Sequence, residues 1–306
     1  MKRDDKLFYN TVREFLSEDQ VKVDEPLKAY TSFNIGGPCD YFIEPKSVEE
    51  IQKVLKAAYD CGMPVFVLGN GSNLLVTDKG YRGAVVHLYN NFNSIELEGD
   101  RICAKTGISL ATLAGAAAKA NLKGLEFASG IPGTLGGAVY MNAGAYGGEM
   151  KQVVIKVLAC NMRGQLRTFS LEDLGFAYRH SNLQVGEYIA LEVEMELSHG
   201  LESEIRETMK ELNMRRKDKQ PLEFPSAGST FKRPEGYYAG KLIMDAGLRG
   251  YHIGDAQVSE KHCGFVVNKG NASFEDVYRL IQYIKAQVRE QFGVELEREV
   301  KILGDM

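Results

Sequence analysis

The chain has 306 residues, 44% of them hydrophobic and 25% charged, with 37 lysines and arginines against 41 aspartates and glutamates. That length suits two domains, and the net charge of −4 argues against general nucleic-acid or membrane binding while leaving local basic residues to meet an anionic small molecule. Five scattered cysteines (Cys39, Cys61, Cys103, Cys160, Cys263) without a Cys-x-x-Cys, an opening "MKRDDKLFYN" with no apolar core, and no run of membrane length predict free thiols and a cytoplasmic protein with no metal site.

In chain order, residues 47–61, "SVEEIQKVLKAAYDC", read as a helix. Ile51, Val54, Leu55 and Ala58 fall at helical spacing, and Ser47 with Glu50 makes a capping box. A short apolar run, "PVFVLG", follows as a buried strand that ends in the glycine-rich turn "GNGSN". Residues 109–121, "SLATLAGAAAKAN", read as a second helix, closely packed through its alanines. Beyond residue 152 the period changes. "YIALEVEMEL" puts Ile189, Leu191, Val193, Met195 and Leu197 on one face and Glu192, Glu194 and Glu196 on the other, the pattern of a half-solvated antiparallel strand. A highly charged helix over 201–218 makes a domain boundary, followed by a strand at "CGFVVN", a capped helix over 273–292 and a last strand at "REVKILG". The first two-thirds and the last third read as separate α+β units.

Three glycine-containing stretches interrupt these elements: "TSFNIGGP" (31–38), "LGNGSNLLV" (68–76) and "GIPGTLGGAVYMNAGAYGGEM" (130–150). Glycine loses more conformational freedom on folding than any other residue, so such runs are either mobile surface loops or main-chain surfaces pressed against a ligand. Small side chains around several peptide N–H groups suit a pyrophosphate. The common nucleotide fingerprints do not fit. "GNGSN" lacks the lysine of a P-loop, "GYYAGKL" is one residue short with Leu242 where Ser or Thr belongs, and Gly69 and Gly71 are followed by Leu74 rather than a third glycine. The residues alone favour a dinucleotide or other phosphate-bearing cofactor over purely structural turns.

"TSFNIGG", "LGNGSNLL", "GIPGTLGGAVYMNAGAYGGE", "YRHS", "SAGSTFKRP" and "LEREVKILG" occur in an order that resembles the UDP-N-acetylenolpyruvoylglucosamine reductases of peptidoglycan synthesis, from about residue 30 to the end. The compact chain is similar to the shorter, type II branch, which lacks an extra substrate-covering loop. The resemblance implies a PCMH-type FAD-binding fold of two α+β subdomains plus a C-terminal α+β substrate-binding domain. The expected division is a FAD domain over 1–200 (subdomains about 1–90 and 91–200) and a substrate domain over 201–306, with the last strand, about 295–306, packing back on the FAD domain. Asn34, Ile35, Gly36, Gly37, Leu68, Gly69, Asn70, Gly71, Ser72, Asn73 and Leu74 would line the pyrophosphate and ribityl chain. Gly130, Ile131, Pro132, Gly133, Thr134, Gly136, Gly137, Ala138, Asn142, Gly144, Tyr146 and Gly148 would lie along the flavin, with Ile189 a further contact. No histidine occurs in the three stretches, so the FAD is expected to be non-covalent.

The implied reaction takes a hydride from NADPH through FAD to the enolpyruvyl ether of a UDP-sugar, giving UDP-N-acetylmuramate. By the match to the family's motifs, Arg179 would stabilise charge beside the substrate carboxylate, for which a permanently charged, bidentate guanidinium is suited. Ser229 would deliver the proton and Glu299 would act as the second electrostatic or acid group. Lys232, Arg216, Lys219 and Lys241 would meet the diphosphate, and Tyr178 would hydrogen-bond the substrate. Arg215 and Lys217 read as a solvated helix face, and Gln257, Ser259 and Asn268 as residues that shape the substrate domain. His252 and His262 lack a ligand constellation or a partnered nucleophile. The expected protein is a monomer that binds neither nucleic acid nor membrane. Alternatives from other classes are a flavin oxidase of the same fold and a non-catalytic flavin-binding module.

Overall fold

A computed structural model of the chain describes residues 3–305. Helix α1 (Asp5–Arg13) starts at Asp4, whose carboxylate accepts from the Leu7 N–H, and buries Phe8 and Val12. Strands β1 (Val21–Pro26) and β2 (Pro38–Ile43), helix α2 (Val48–Asp60), and strands β3 (Val65–Leu68), β4 (Leu74–Val76) and β5 (Tyr81–His87) follow. A four-stranded sheet runs β1-β2-β5-β3, with β3 and β5 parallel. Next come β6 (Ile95–Glu98), β7 (Arg101–Lys105), α3 (Leu110–Lys119), β8 (Leu122–Lys123), α4 (Leu135–Tyr140), β9 (Gly144–Ala145), β10 (Gly148–Glu149), β11 (Val154–Asn161), β12 (Leu166–Ser170), α5 (Leu171–Leu174), β13 (Tyr188–Glu196) and β14 (Ser198–His199). Five of these strands form an antiparallel sheet in the order β12-β11-β13-β7-β6. The last third holds α6 (Glu202–Lys219), α7 (Ala239–Asp245), β15 (His252–Ile253), β16 (Ala256–Val258), β17 (Val266–Asn268), α8 (Phe274–Phe292) and β18 (Lys301–Leu303).

The chain forms two compact units, and neither is continuous in sequence. One comprises Met1–Val23, Tyr41–Asn70 and Gly83–Arg215; the other comprises Asp24–Asp40, Gly71–Arg82 and Arg216–Met306. Within the first unit, one core gathers Phe8 and Val12 of α1, Ile51, Val54 and Leu55 of α2, and Val86 of β5. A second core lies between α3, α4 and the five-stranded sheet, with Leu110, Leu113, Leu135, Val157 and Val193 among its residues. The second unit has its own core on α8, β16 and β17, which takes in Phe33, Ile35 and Leu75 from far upstream. There β18 pairs in parallel with β4, Lys301 opposite Leu74 and Leu303 opposite Val76.

The local chemistry explains most element boundaries. Strand β13 buries Ile189, Leu191, Val193 and Met195, while Glu192, Glu194 and Glu196 pair with Lys105, Lys156 and Arg101. Ser273 and Asp276 form a complete capping box on α8, which ends at Gly293 in the left-handed region, φ 67°. The expected box on α2 is only half made. Ser47 accepts from the Glu50 N–H, but the Glu50 carboxylate turns to the Lys46 N–H (2.6 Å) and to Gln20 (2.8 Å), which bind it in place of the Ser47 N–H. Strand β3 is likewise less enclosed than its apolar run suggests, with Val65, Phe66 and Val67 half-buried. All five cysteines are free thiols, and burial pushes Cys39 up to about 12, far from thiolate reactivity.

A buried polar cluster pins the first sheet to the loop after β3. His87 is buried; its Nδ1 lies 3.1 Å from Glu44 Oε1, and a second hydrogen bond ties the ring to the Gly69 main chain. Lys22 completes the cluster at 3.0 Å from Glu44. Burial pushes the His87 pKa down despite Glu44 beside it. Burial acts to raise Glu44, yet its hydrogen bonds to His87 and Lys22 together hold it below the usual carboxylate range. In both cases the unfolded chain binds protons more readily, so the cluster's contribution is present above the unfolded pKa values and is lost as pH falls through the folded ones. Stability is therefore expected to drop as pH is lowered from about 7 towards 5, the window that starts at the ordinary imidazole value. His87→Gln should flatten the upper part of that fall in thermal melts; parallel pH profiles for variant and parent would count against the cluster's role.

Candidate active site

The predicted site residues divide between the two units. In the first, the end of β3 and the 130–134 turn form one surface. A Cβ on Gly69 would lie 2.4 Å from the Thr134 hydroxyl, and Asn70 Nδ2 donates to the Pro132 carbonyl at 2.8 Å. Thr134 caps α4, with its hydroxyl accepting from the Gly137 N–H. The Leu135 and Gly136 N–H groups turn inward to the Ile108 and Thr106 carbonyls, each at 2.9 Å. Gly137 differs: a Cβ there would meet only Thr134 Oγ1, at 3.8 Å. This leaves a shallow cradle, bare of side chain, of the kind a flat ring or a phosphate chain can approach.

The β9–β10 hairpin follows, with Tyr146 (φ 55°) and Gly147 (φ 90°) both left-handed at its tip. Gly148 is dictated by packing, since a Cβ would sit 2.5 Å from the Phe127 ring. Asn142, between α4 and the hairpin, is 1% exposed and left-handed at φ 42°. Its Nδ2 donates to Glu149 Oε2 (2.9 Å) and to the Ala177 carbonyl (3.1 Å), and its Oδ1 accepts from the Lys151 N–H (3.0 Å). Ala177 and His180 bracket a tight turn through reciprocal 3.1 Å main-chain bonds, with Tyr178 and Arg179 at its tip. Arg179 is half-buried with φ 54°, and its guanidinium lies 5.1 Å from the centre of the exposed Tyr178 ring.

In the second unit, the 31–37 loop is tied to the segment that carries Ser229. Ser32 Oγ donates to the Ser226 carbonyl at 2.6 Å, the Ser226 N–H returns to Ser32 at 3.0 Å, and buried Asn268 holds the Phe33 carbonyl at 3.1 Å. The Gly37 N–H donates to the Thr77 carbonyl at 2.9 Å. Gly71 has φ 56°, and a Cβ there would lie 2.1 Å from the Tyr30 carbonyl oxygen. Residues 230–232 and 297–299 form a short antiparallel ladder: the Glu299 N–H donates to Thr230 (2.9 Å) and the Lys232 N–H to Glu297 (2.8 Å). Exposed Ser229 and half-buried Glu299 thus come together on neighbouring segments. Asn73 joins them, with its Nδ2 3.3 Å from the Glu299 carbonyl.

Ile35, Leu68, Leu74, Ala138 and Ile189 are buried. The Asn142 side chain is fully engaged within the protein. Lys241 is exposed and paired with Asp245 at 2.8 Å along α7, and Lys219 is exposed at the end of α6. Arg216 is 9% exposed, whereas Arg215 pairs with Glu211 on the solvated face. Lys232 forms an ion pair with Glu297. Gln184 and Ser181, which hold the Arg179 turn, were not singled out in the sequence; the signal available was polar side chains directly after a tyrosine–arginine pair. Among the described residues no group of three His, Cys, Asp or Glu could hold a metal ion.

Comparison with known proteins decides what this arrangement belongs to. A family model described as FAD binding domain matches residues 39–170, and one described as UDP-N-acetylenolpyruvoylglucosamine reductase, C-terminal domain, matches residues 220–303. The chain is 52% identical to the UDP-N-acetylenolpyruvoylglucosamine reductase of Clostridioides difficile (strain 630), with 97% of this chain and 98% of that one covered. It belongs to the UDP-N-acetylenolpyruvoylglucosamine reductase family. The reductase of Caldanaerobacter subterraneus subsp. tengcongensis is 51% identical, covering 98% and 99% of the two chains. The crystal structure of the Thermus caldophilus reductase superposes with a TM-score of 0.79 at 37% identity, covering 92% of this chain and 98% of that one. The fold is accordingly the α+β, PCMH-type FAD-binding fold with a C-terminal α+β domain, and the chain is an FAD-dependent oxidoreductase.

Proposed function

We infer that the chain reduces the enolpyruvyl ether of UDP-N-acetylglucosamine enolpyruvate with NADPH, giving UDP-N-acetylmuramate for peptidoglycan synthesis. The observation that carries this reading is the full-length likeness to reductases of that name. The residues fit the cofactor: the main-chain cradle at Gly137 and the surface joined by Asn70 and Thr134 are smooth enough for a flavin and its phosphates. When bound, FAD supplies the hydride chemistry and is held without a covalent link. Asn34, Gly36, Gly37, Gly69, Asn70, Gly71, Ser72 and Asn73 serve its pyrophosphate and ribityl chain. Gly130, Pro132, Gly133, Thr134, Gly136, Gly137, Gly144, Tyr146 and Gly148 serve its ring system.

The remaining work belongs to side chains. The Arg179 guanidinium meets the substrate carboxylate, where negative charge develops. Ser229 Oγ gives its proton to the developing carbanion and regains one through a relay to solvent, and the Glu299 carboxyl acts as the second electrostatic or acid group. Lys232, Arg216 and Lys219 meet the diphosphate, and Tyr178 hydrogen-bonds the substrate; Lys241 joins them only by leaving Asp245. Residues 1–200 act as the FAD domain and 201–306 as the substrate domain, while residues 24–40 and 71–82 of the former belong to the second compact unit. The protein works as a cytoplasmic monomer, without nucleic-acid or membrane partners, and its product supports cell shape and division. No helix among the described residues is long and apolar enough to cross a membrane.

An anaerobic absorbance titration tests the reading. A flavin band that bleaches with NADPH and returns with the enolpyruvyl UDP-sugar is expected. Return only with oxygen would point to the oxidase alternative. A chain that takes up no flavin after reconstitution with FAD would overturn the proposal.

A further inference from the structure

Three hydrogen bonds that hold the main chain of the Tyr178–Arg179 turn come from the middle of the long glycine-rich stretch or from the residues just after the turn. The Ala177 carbonyl, on the entry side, accepts from Asn142 Nδ2 at 3.1 Å. The Arg179 carbonyl accepts from Gln184 Nε2 at 3.3 Å, and the same amide donates to the Tyr140 carbonyl at 2.7 Å. On the exit side, Ser181 is fully buried and its hydroxyl donates to that same Tyr140 carbonyl at 2.9 Å. Tyr140 and Asn142 flank the C-terminus of α4, the helix that Thr134 and the open Gly137 begin.

The conformation needs this support. A non-glycine residue in the left-handed region costs roughly 1–2 kcal/mol and persists only where its surroundings fix it. Two such residues lie on the two segments joined by the Asn142–Ala177 bond, Asn142 at φ 42° and Arg179 at φ 54°, and the strain falls mainly on the arginine, since asparagine tolerates this region. Both Asn142 Nδ2 hydrogens and its Oδ1 are used, so it has one way to sit. An amide is required: a carboxylate at this position would have no hydrogen to give Ala177 and would face the Glu149 carboxylate, its present partner at 2.9 Å.

We propose that Asn142 and Gln184 are positioning residues that couple the α4 end of the glycine-rich surface to the Arg179 turn and so set where the guanidinium points. The inference rests on the role given to Arg179 above. It accounts for the asparagine within a run of glycine and alanine, "MNAGAYGG": it serves the turn, and the flavin only through it. A misplacement of a reacting group by about 1 Å is enough to lower a rate by about a hundred-fold.

The test is a double-mutant cycle on the FAD-loaded enzyme, with Gln184→Met as the milder variant and Asn142→Ser as the stronger. Each is expected to lower turnover with the enolpyruvyl substrate by about ten-fold or more, and Gln184→Met, which is outside the flavin-binding residues, does so while flavin affinity and the rate of flavin reduction by NADPH stay at parental values. In an Arg179→Ala background, Gln184→Met should add no further loss, because the group it positions is gone. A readout independent of activity is tryptic cleavage after Arg179, which should quicken in Gln184→Met at unchanged melting temperature. Losses that add fully to that of Arg179→Ala, or a parental cleavage rate, would overturn the coupling and leave the role of Arg179 standing. An Arg179→Ala enzyme that turns over normally would instead remove the role of Arg179 itself, and the coupling with it.

Discussion

Ser229→Ala is expected to leave reduction of the bound flavin by NADPH nearly untouched and to lower turnover of the enolpyruvyl substrate by at least ~100-fold, the lower end of what a positioned proton donor contributes. The two half-reactions separate because only the second needs a proton at the substrate carbon. The local structure makes the substitution clean. The main chain beside it is held by its neighbour: the Thr230 N–H donates to Gly264 at 2.8 Å, and Thr230 Oγ1 accepts from the Val266 N–H at 3.0 Å. Ser229 itself is exposed and carries no part of that ladder, so its loss should not move Glu299. Stopped-flow traces of each half-reaction decide the matter. Equal slowing of both would mean that the hydroxyl acts on the flavin pocket as a whole, and the proton-donor role would be withdrawn.

The second large effect concerns stability. Gly71→Ala places a Cβ 2.1 Å from the Tyr30 carbonyl oxygen and imposes a side chain at φ 56°. Main chain cannot yield as a flexible side chain can, so overpacking of about 1–3 kcal/mol adds to a left-handed strain of about 1–2 kcal/mol. For a chain of this size the sum corresponds to a fall of about 5–15 °C in melting temperature. The loop between Gly69 and Leu74 should also release FAD more readily. A variant that melts within ~2 °C of the parent and keeps its flavin would show that the 30–32 segment moves aside at little cost, against the packing argument.

The sequence makes the elements legible where a single physical rule dominates. The alternation along β13 and the Ser273–Asp276 box on α8 each state a local preference that tertiary packing reinforces. The capping box on α2 fails for the opposite reason, because a distant partner, Gln20, competes for Glu50. The glycines carry two messages in one letter. Gly137 leaves its surroundings open, as a ligand surface requires, whereas Gly69, Gly71 and Gly148 are demanded by Thr134, the Tyr30 carbonyl and Phe127. Those partners lie far off in sequence, so periodicity and composition contain no trace of them. The motifs point to Arg179, Ser229 and Glu299 as candidates, but the hydrogen bonds on the Arg179 turn come from Asn142 and Gln184 across intervening residues. The discontinuous units were hidden likewise, since Phe33 and Leu75 join the core of α8 only once the chain has folded.

The pairing of β18 with β4 bears on how the protein is made. Lys301, Ile302 and Leu303 bond to Leu74, Leu75 and Val76, so β4 waits for more than two hundred further residues before its partner leaves the ribosome. Contacts of such sequence separation are slow to close, and apolar segments left waiting are the ones that aggregate. During synthesis Leu75, Phe33 and Ile35 are exposed apolar residues without a core. A ribosome stalled before residue 301 would therefore release a chain whose β4 lacks its parallel partner, and protein quality control would meet it as a nascent-chain problem and not as a damaged enzyme.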